Sequence, residues 1–291
     1  MDPRNVKRMC MHYDRAAQAA PRGRDQGASK LLKEFHNSIK RELIQEFAFN
    51  APRTADLCCG RGGDLHKWSQ SGIRHVLAVD ISPQELEEAK RRYRAMRPPS
   101  MSVEWSLVDS LGIVPIAKPP KEMQCQTVTC MFALHYFAAS EKSMDVFLES
   151  VSNLLANDGY FVGCCPDGAM VVEALGPACE IVTPVLSIKC HWNAEKPLEE
   201  TFGNAYTFSL DDTVTDIGGS TEYLVSESAL IERASKHGLV PVRSYQARSL
   251  AQTISSEGVF RRFLPPDSME SSLSMASRLN AAFVFQKKQH K

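Results

Sequence analysis

Apolar and polar residues along this chain follow two periods in alternation, one typical of helices and one typical of strands. Between residues 31 and 49 apolar side chains recur at helical spacing, at Leu32, Phe35, Ile39, Leu43 and Phe47. Further along, apolar runs predict strands near 53–58, 75–80, 103–108, 125–133 and 159–165, and the segments between them predict helices near 64–71, 84–97 and 141–156. This succession predicts an α/β fold with a Rossmann-like, doubly wound, mostly parallel sheet.

The alternation fails in two places, and these define the expected domain organisation. Residues 1–30 are polar and are expected to form a flexible N-terminal segment. After Pro166 the pattern breaks, and an inserted segment on the substrate side is expected over about 167–221. A helix near 226–237, a strand from Leu239 and a last strand over 281–285 would complete the sheet, so residues 31–291 are predicted to form a single domain.

Composition limits the kinds of binding partner and the cellular compartment that are expected for the protein. The 34 Lys and Arg residues equal the 34 Asp and Glu residues, so any contact with nucleic acid should be local. The nine Cys residues include no Cys-x-x-Cys and no Cys/His grouping at zinc spacing, which predicts reduced thiols in an intracellular protein without a metal site. There is no signal-peptide core and no apolar run of about 20 residues, so no membrane attachment is expected.

The segment from Asp56 to Leu65 reads Asp-Leu-Cys-Cys-Gly-Arg-Gly-Gly-Asp-Leu, and Asp80 ends the next apolar run. A strand, a Gly-rich turn, a helix and a second strand ending in an acid form the half-domain in which Rossmann-like folds hold a nucleoside. The spacing is not Gly-x-Gly-x-x-Gly, so no pyrophosphate is indicated. The acidic side chains of Asp56 and Asp80 suit S-adenosylmethionine, which carries an ammonium and a sulfonium. A Gly-rich turn of this kind also occurs in α/β proteins for packing alone.

Five motifs in one order give the chain a resemblance to a known family. They are His12-Tyr13-Asp14, the Asp56 to Trp68 block, Leu134-His135-Tyr136, the Gly159 to Gly163 segment and Thr221-Glu222-Tyr223-Leu224-Val225. Together they resemble the messenger-RNA cap (guanine-N7) methyltransferases, from about residue 12 to the C-terminus, with a weak stretch between 167 and 205. The resemblance implies a seven-stranded class I methyltransferase sheet with an N-terminal helical extension. It also implies methyl transfer from S-adenosylmethionine to N7 of the guanine in a 5′ GpppN cap.

The resemblance further implies which side chains meet the cofactor. Asp80 would bind the ribose hydroxyls, Asp109 the adenine amino group and Asp56 the methionine ammonium. The complete set of implied cofactor residues is Lys40, Asp56, Cys58, Gly60, Asp80, Asp109, Met131 and Tyr136.

For the cap, the resemblance implies that Glu222 accepts from the Watson–Crick edge of guanine and that His135 reaches O6. With Tyr136 these residues orient the base, and none acts as an acid or base, because N7 carries a free lone pair. Arg61, Lys67 and Arg92 would line the triphosphate. The complete set of implied cap residues is His36, Asn37, Arg61, Lys67, Arg92, Phe132, His135, Pro166, Glu222 and Asn280.

Several positions depart from the family pattern. Cys58 replaces a Gly and is expected to fit if its φ is negative. His36 replaces an Asn, Arg61 replaces a Lys that many relatives have, and Met131 replaces a cofactor-side Gln. Asn280 stands where a Tyr would face the cap, and Phe283 is a candidate for supplying the missing aromatic ring.

Two other functions stay open at this stage. The chain could methylate another nucleotide or a small molecule, with a different pocket formed by 167–221. Alternatively, Met131 and Asn280 could mark a regulatory protein that binds the cap or the cofactor without catalysis. For a cap enzyme, the absence of a Lys-x-Asp-Gly motif implies a separate RNA guanylyltransferase and triphosphatase. An activating subunit is also compatible with the family, and a nuclear location follows only from the role.

Overall fold

A central sheet takes up the strands that the alternating pattern predicts. The computed structural model describes residues 7–14, 27, 29–96, 101–193, 201–211, 213, 219–245 and 250–288. The strands are β1 (Arg53–Leu57), β2 (His75–Asp80), β3 (Ser102–Leu107), β4 (Cys125–Met131), β5 (Leu155–Pro166), β6 (Glu180–Val182), β7 (Leu186–Cys190), β8 (Ala205–Leu210), β9 (Ser220–Tyr223), β10 (Leu239–Pro241), β11 (Arg261–Arg262) and β12 (Asn280–Lys287). The helices are α1 (residues 7–14), α2 (Lys30–Ala48), α3 (Leu65–Gln70), α4 (Pro83–Ala95), α5 (Leu134–Phe137), α6 (Glu141–Leu154), α7 (Gly168–Leu175), α8 (Glu227–Lys236) and α9 (Ser271–Arg278).

The central sheet has the order β10-β12-β5-β4-β1-β2-β3, and the short β11 pairs with β12 beside this path. Strands β1 to β5 run parallel to one another, whereas β12 runs antiparallel to β5 and to β10. Helices cover the sheet, and the strands are buried and apolar for that reason. The predicted doubly wound, mostly parallel sheet is confirmed. Its strand order reverses between β1 and β4, which is where such folds place ligands at the carboxyl ends of strands.

A second, smaller sheet lies within and just beyond the expected insertion. Its antiparallel order is β6-β7-β8-β9, and it packs with α7 and α9 around an apolar cluster that includes Leu186, Ile188 and Tyr206. Strand β9 ends at Tyr223, so the first three residues of the Thr221-Glu222-Tyr223-Leu224-Val225 motif lie in this sheet. The sequence analysis also missed α5, α7 and α9. The division into one domain with an insertion stays a prediction.

Two expectations about the chain need correction. Residues 7–14 form α1 rather than a flexible segment, and apart from 27, 29 and 30 the rest of 1–30 lies outside the described residues. Cys179 and Cys190 are joined as a disulfide across the β6–β7 hairpin, whereas the sequence predicted reduced thiols throughout. Within the described ranges, no helix is long and apolar enough to cross a membrane.

Candidate active site

Asp80 is fixed where β2 meets the Gly-rich turn. One carboxylate oxygen accepts from the backbone N–H of Gly60 at 2.7 Å, and the other accepts from the N–H of Ser82 at 2.9 Å. Gly60 has a φ of 51°, a left-handed conformation that costs glycine little. Burial raises the pKa of Asp80 to about 6, while the backbone hydrogen bonds oppose that shift. The carboxyl group is therefore held beside the turn, and each oxygen keeps a lone pair for a ligand hydroxyl.

Cys58 does not meet the condition of a negative φ under which it was expected to fit the turn. Its φ is 63°, in the left-handed region that L-residues other than Gly, Asn and Asp seldom adopt. The side chain is partly buried, and its sulfur pairs with that of Cys130, an interaction that together with burial raises the pKa of the Cys58 thiol. The Gly-rich turn thus carries backbone strain at the position where the family has Gly.

Asp64 joins two lysines that the sequence analysis assigned to different ligands. Its carboxylate lies 2.8 Å from the Nζ of Lys40 and 2.8 Å from the Nζ of Lys67. Burial alone would favour the neutral acid, but the two ammonium groups lower the pKa of Asp64. Lys67 also donates to the carbonyl of Gly63 at 3.0 Å and is buried, so its ammonium is enclosed rather than lining the cavity as expected. Asp64 is a site residue that the sequence analysis missed.

Asp56 lies at the end of β1 and is 3% exposed. Thr129, on β4, donates its hydroxyl to the Asp56 carboxyl group at 2.6 Å. Burial, together with the nearby charge of Asp64, raises the pKa of Asp56. The hydrogen bond from Thr129 and the charge of Lys40 oppose this shift, and a further cationic group beside Asp56 would favour its ionised form.

One cavity, of about 590 Å³, opens between the central sheet and the second sheet. Most of the predicted cap residues lie on its wall, and these are His36, Asn37, Arg61, Arg92, Phe132, His135, Pro166, Glu222 and Asn280. Lys40 and Tyr136, predicted for the cofactor, also line it, and so do residues that were given no site role from the sequence, among them Tyr13, Lys33, Tyr206 and Phe208. The cavity thus brings together side chains from α1, α2, the Gly-rich turn, α5 and the second sheet.

The polar end of the cavity is built from His135 and Glu222. Burial lowers the pKa of His135 to about 3, so the imidazole is neutral, and neither ring nitrogen has a hydrogen-bond partner among the described residues. The Nε2 of His135 lies 3.7 Å from Oε1 of Glu222. Tyr206 faces Glu222 across the β8–β9 ladder and donates its hydroxyl to Oε2 at 2.8 Å. Burial raises the pKa of Glu222 to about 7, while this hydrogen bond lowers it.

An aromatic wall faces this polar end. The imidazole of His36 stacks on the ring of Phe132, with centroids 5.0 Å apart and an interplanar angle of 16°. The Nε2 of His36 lies 3.0 Å from the hydroxyl of Ser277. Burial, with a contribution from Lys40, lowers the pKa of His36 to about 3, so this ring is neutral as well. Phe132 has a φ of 60° just after β4, a second strained backbone position at the site.

The two arginines expected at the triphosphate are both paired with acids of α4. Arg61 donates from Nε to Oε2 of Glu85 at 3.0 Å and from Nη2 to Oε1 at 2.6 Å. Arg92 donates from Nε to Glu88 at 2.8 Å. Neither pair is closed off from the cavity, because both arginines line its wall.

Helix α1 covers the carboxyl ends of β2 and β4. Ser82, just after β2, donates its hydroxyl to the carboxylate of Asp14 at 2.6 Å. The hydroxyl of Tyr13 lies 2.5 Å from that of Tyr136, which in turn lies 2.9 Å from the hydroxyl of Ser220 on β9. The His-Tyr-Asp motif therefore contributes directly to the site, and the sequence analysis had used it only for the family resemblance.

The remaining residues that the sequence singled out lie in different environments. Asn280 lines the cavity, with its amide donating to the carbonyl of Ala276 at 2.9 Å. Met131 is buried at the end of β4, and Asp109 is exposed after β3. The suggestion that Phe283 replaces the missing aromatic ring is wrong, because Phe283 is fully buried in the core of the central sheet, and the rings of Tyr206 and Phe208 line the cavity instead.

Solved structures of the same fold are S-adenosylmethionine-dependent methyltransferases. One from Clostridium acetobutylicum has a TM-score of 0.52 and 14% identity, and the match covers 97% of this chain and 99% of that one. At the sequence level, residues 3–266 match the model of the mRNA (guanine-N(7))-methyltransferase domain. The chain belongs to this family, as its motifs indicated.

Curated relatives agree with the family assignment. The mRNA cap guanine-N(7) methyltransferase of Drosophila melanogaster is 28% identical over 258 residues, which are 81% of this chain and 59% of that protein. The protein of the same name from Schizosaccharomyces pombe is 30% identical over 216 residues, which are 72% of this chain and 59% of its own length. The chain thus spans about three fifths of the length of these relatives.

Proposed function

We propose that this protein transfers the methyl group of S-adenosylmethionine to N7 of the guanine in a 5′ GpppN cap. The observation that carries the proposal is one cavity whose wall includes the neutral imidazole of His135, the carboxyl group of Glu222, and Arg61 and Gly63 of the Gly-rich turn. Membership of the cap methyltransferase family supports the same reaction.

The cofactor would lie across the ends of β1, β2 and β4. The residues there fit S-adenosylmethionine, because the methionine ammonium beside the buried carboxyl group of Asp56 would favour its ionised form. Asp80 keeps a lone pair on each oxygen for the ribose hydroxyls, and Asp109 is exposed beyond β3, where an adenine amino group could reach it. The bound cofactor supplies the electrophilic methyl group. Lys40, Gly60, the backbone of Cys58, Met131 and Tyr136 would complete its surroundings.

Guanine would enter between the aromatic wall and the polar end of the cavity. An ionised Glu222 can accept from N1–H and from the 2-amino group, since only one of its oxygens already accepts a hydrogen bond from Tyr206. A neutral His135 can donate from one ring nitrogen to O6. Phe132, Tyr136 and Pro166 would enclose the base, with His36, Asn37 and Asn280 at its margin.

The reaction requires orientation rather than acid–base chemistry. Guanine N7 has a lone pair and no proton, so in-line attack on the methyl carbon breaks the carbon–sulfur bond without a base. Holding two reactants in near-attack geometry can lower the barrier by about 7–11 kcal/mol. The roles of Glu222 and His135 are therefore to fix the guanine edge, and their own protonation does not change during the step.

The decisive experiment is transfer of labelled methyl from S-adenosylmethionine to a short GpppA-capped RNA, followed by nuclease release of the cap. Label should appear as 7-methylguanosine and be lost in Glu222→Ala, while the exposed control Glu149→Ala retains it. Transfer to GTP or to a small molecule but not to capped RNA would favour a different methyltransferase. Binding of both ligands without transfer would indicate a regulatory protein, or a chain that needs an activating subunit.

The same proposal implies partners and a location. A separate RNA guanylyltransferase and triphosphatase would supply the GpppN end, and the protein would work in the nucleus, where caps are added to nascent mRNA. Fractionation of cells that produce the tagged chain tests the location. Co-purification of guanylyltransferase activity from the same cells tests the partnership.

A further inference from the structure

The pairing of Arg61 with Glu85 is more than a surface ion pair. The Glu85 side chain is 3% exposed and that of Arg61 is 19% exposed, and two hydrogen bonds join them side by side. A bidentate guanidinium–carboxylate pair fixes the plane of the guanidinium as well as its position. It uses two of the five N–H donors of Arg61, so three stay available on a side chain that lines the cavity.

The Glu85 carboxylate can bind Arg61 because it is not needed to cap the N-terminus of α4. Ser82 caps this helix by accepting from the backbone N–H of Glu85 at 3.1 Å. In the reciprocal half of a capping box the Glu carboxylate would accept from the N–H of Ser82. Here Asp80 accepts from that N–H at 2.9 Å, so the Glu85 carboxylate is not needed for the cap.

The Glu85 carboxylate also lies directly against the Gly-rich turn. A Cβ added to Gly60 would lie 3.7 Å from Oε2 of Glu85. The backbone N–H of Gly60 donates to Asp80, the same residue that accepts from Ser82. Arg61 is therefore tied through Glu85 and α4 to Asp80, at the cofactor end of the site.

We propose that Glu85 is a positioning residue, which holds the guanidinium of Arg61 in the plane needed to bind the triphosphate bridge of the capped substrate. The proposal rests on the proposed function. A carboxylate next to a phosphate-binding cation weakens the long-range attraction between that cation and the phosphates. Glu85 therefore helps by fixing the orientation of the Arg61 guanidinium, not by increasing the positive charge of the site. Since a lysine has a single ammonium and no planar fork, it cannot keep two bonds to Glu85 and present a further planar pair of donors.

The test compares KM for GpppA-capped RNA with the inhibition constant of guanosine, which has the base without phosphates. Glu85→Gln should raise KM by roughly tenfold, the usual scale for disturbing one charge-assisted contact. It should leave kcat, cofactor affinity and guanosine inhibition unchanged. Glu87→Gln is the matched control, because Glu87 lies on the same helix and pairs only with Lys90 on the surface. A parallel loss for guanosine would show that Glu85 merely supports the fold and would overturn the proposal.

A double-variant cycle separates this proposal from the proposed function. Arg61→Ala alone should raise KM, and adding Glu85→Gln to it should have no further effect, since the two residues would act as one unit. Arg61→Lys should resemble Glu85→Gln without altering α4. If Arg61→Ala weakens GpppA binding but Glu85→Gln leaves it unchanged or tighter, the positioning role is wrong while the cap function stands. If Arg61→Ala has no effect on capped RNA that the enzyme does methylate, the triphosphate role of Arg61 fails, and that of Glu85 fails with it.

Discussion

Burial of the Glu222 carboxyl group sets the pH range in which guanine can be bound. Its pKa is raised to about 7, and only the ionised form accepts from both N–H groups of the guanine edge. The value of kcat/KM for capped RNA should therefore fall as the pH drops below about 7.

The hydroxyl of Tyr206 favours the ionised form of Glu222, so its removal should change the pKa of Glu222 in a known direction. Tyr206→Phe removes this donor, so the pKa of Glu222 should rise further and the acid limb of the kcat/KM profile should move to higher pH. Tyr160→Phe, which removes a phenol outside the cavity, serves as the control and should leave the limb in place. A Tyr206→Phe profile with lower activity but an unshifted limb would mean that the hydroxyl acts on shape alone.

Two substitutions at Cys58 test whether its backbone is strained, and the test depends on which of the two variants is more stable. The φ of 63° at this position destabilises any L-residue by about 1 kcal/mol. Cys58→Ala keeps this conformational cost, whereas Cys58→Gly removes it. We expect the Gly variant to be more stable than the Ala variant by about 1 kcal/mol in urea unfolding. The opposite order, which is normal for ordinary backbone conformations, would contradict the strained turn. The sequence could not predict this strain, because φ here depends on how the turn meets β2.

At the scale of elements, the pattern predicts what is regular and long and misses what is short. Strands β1 to β5 and the helices α3, α4 and α6 follow segments whose apolar pattern is clear. α7 is apolar nearly all round, and α9 is only eight residues long and has Ser at two of its buried positions, so its apolar face is too short to stand out in the sequence. β6 to β9 are three to six residues long and pair with each other rather than with the central sheet, and such pairing cannot be read from local pattern.

The hydroxyl of Ser82 connects two helices, α4 and α1, and its removal should affect both. Its hydroxyl caps α4 and donates to Asp14 on α1. Ser82→Ala should cost about 1 kcal/mol of stability, as other lost N-caps do, and should also increase hydrogen exchange in α1. The control is Ser140→Ala, which removes the N-cap of α6 at Ser143 and does not involve α1. Equal exchange in α1 for both variants would show that the contact with Asp14 does not hold α1 in place.

At the scale of the whole molecule, the two sheets carry different halves of the candidate site. Asp56 and Asp80 lie at or next to the last residues of strands β1 and β2 in the central sheet, while Tyr206 and Glu222 face each other on the second sheet. Family resemblance predicted Glu222 and His135 from their motifs, and both line the cavity. It could not predict Tyr206, Asp64 or Glu85, because each acts through a neighbour that only the folded chain brings into contact.

This division predicts that cofactor binding and guanine recognition can be lost separately. Glu222→Ala removes two hydrogen bonds to guanine, so kcat/KM for capped RNA should fall by about 100-fold or more. Calorimetric affinity for S-adenosylmethionine should stay within about threefold of the wild type, because Glu222 lies on the second sheet. Asp80→Ala should weaken both, since Asp80 fixes the Gly-rich turn and would bind the ribose. Equal loss of cofactor affinity in the two variants would mean that the cavity works as one indivisible unit, and the assignment of one ligand to each sheet would have to be abandoned.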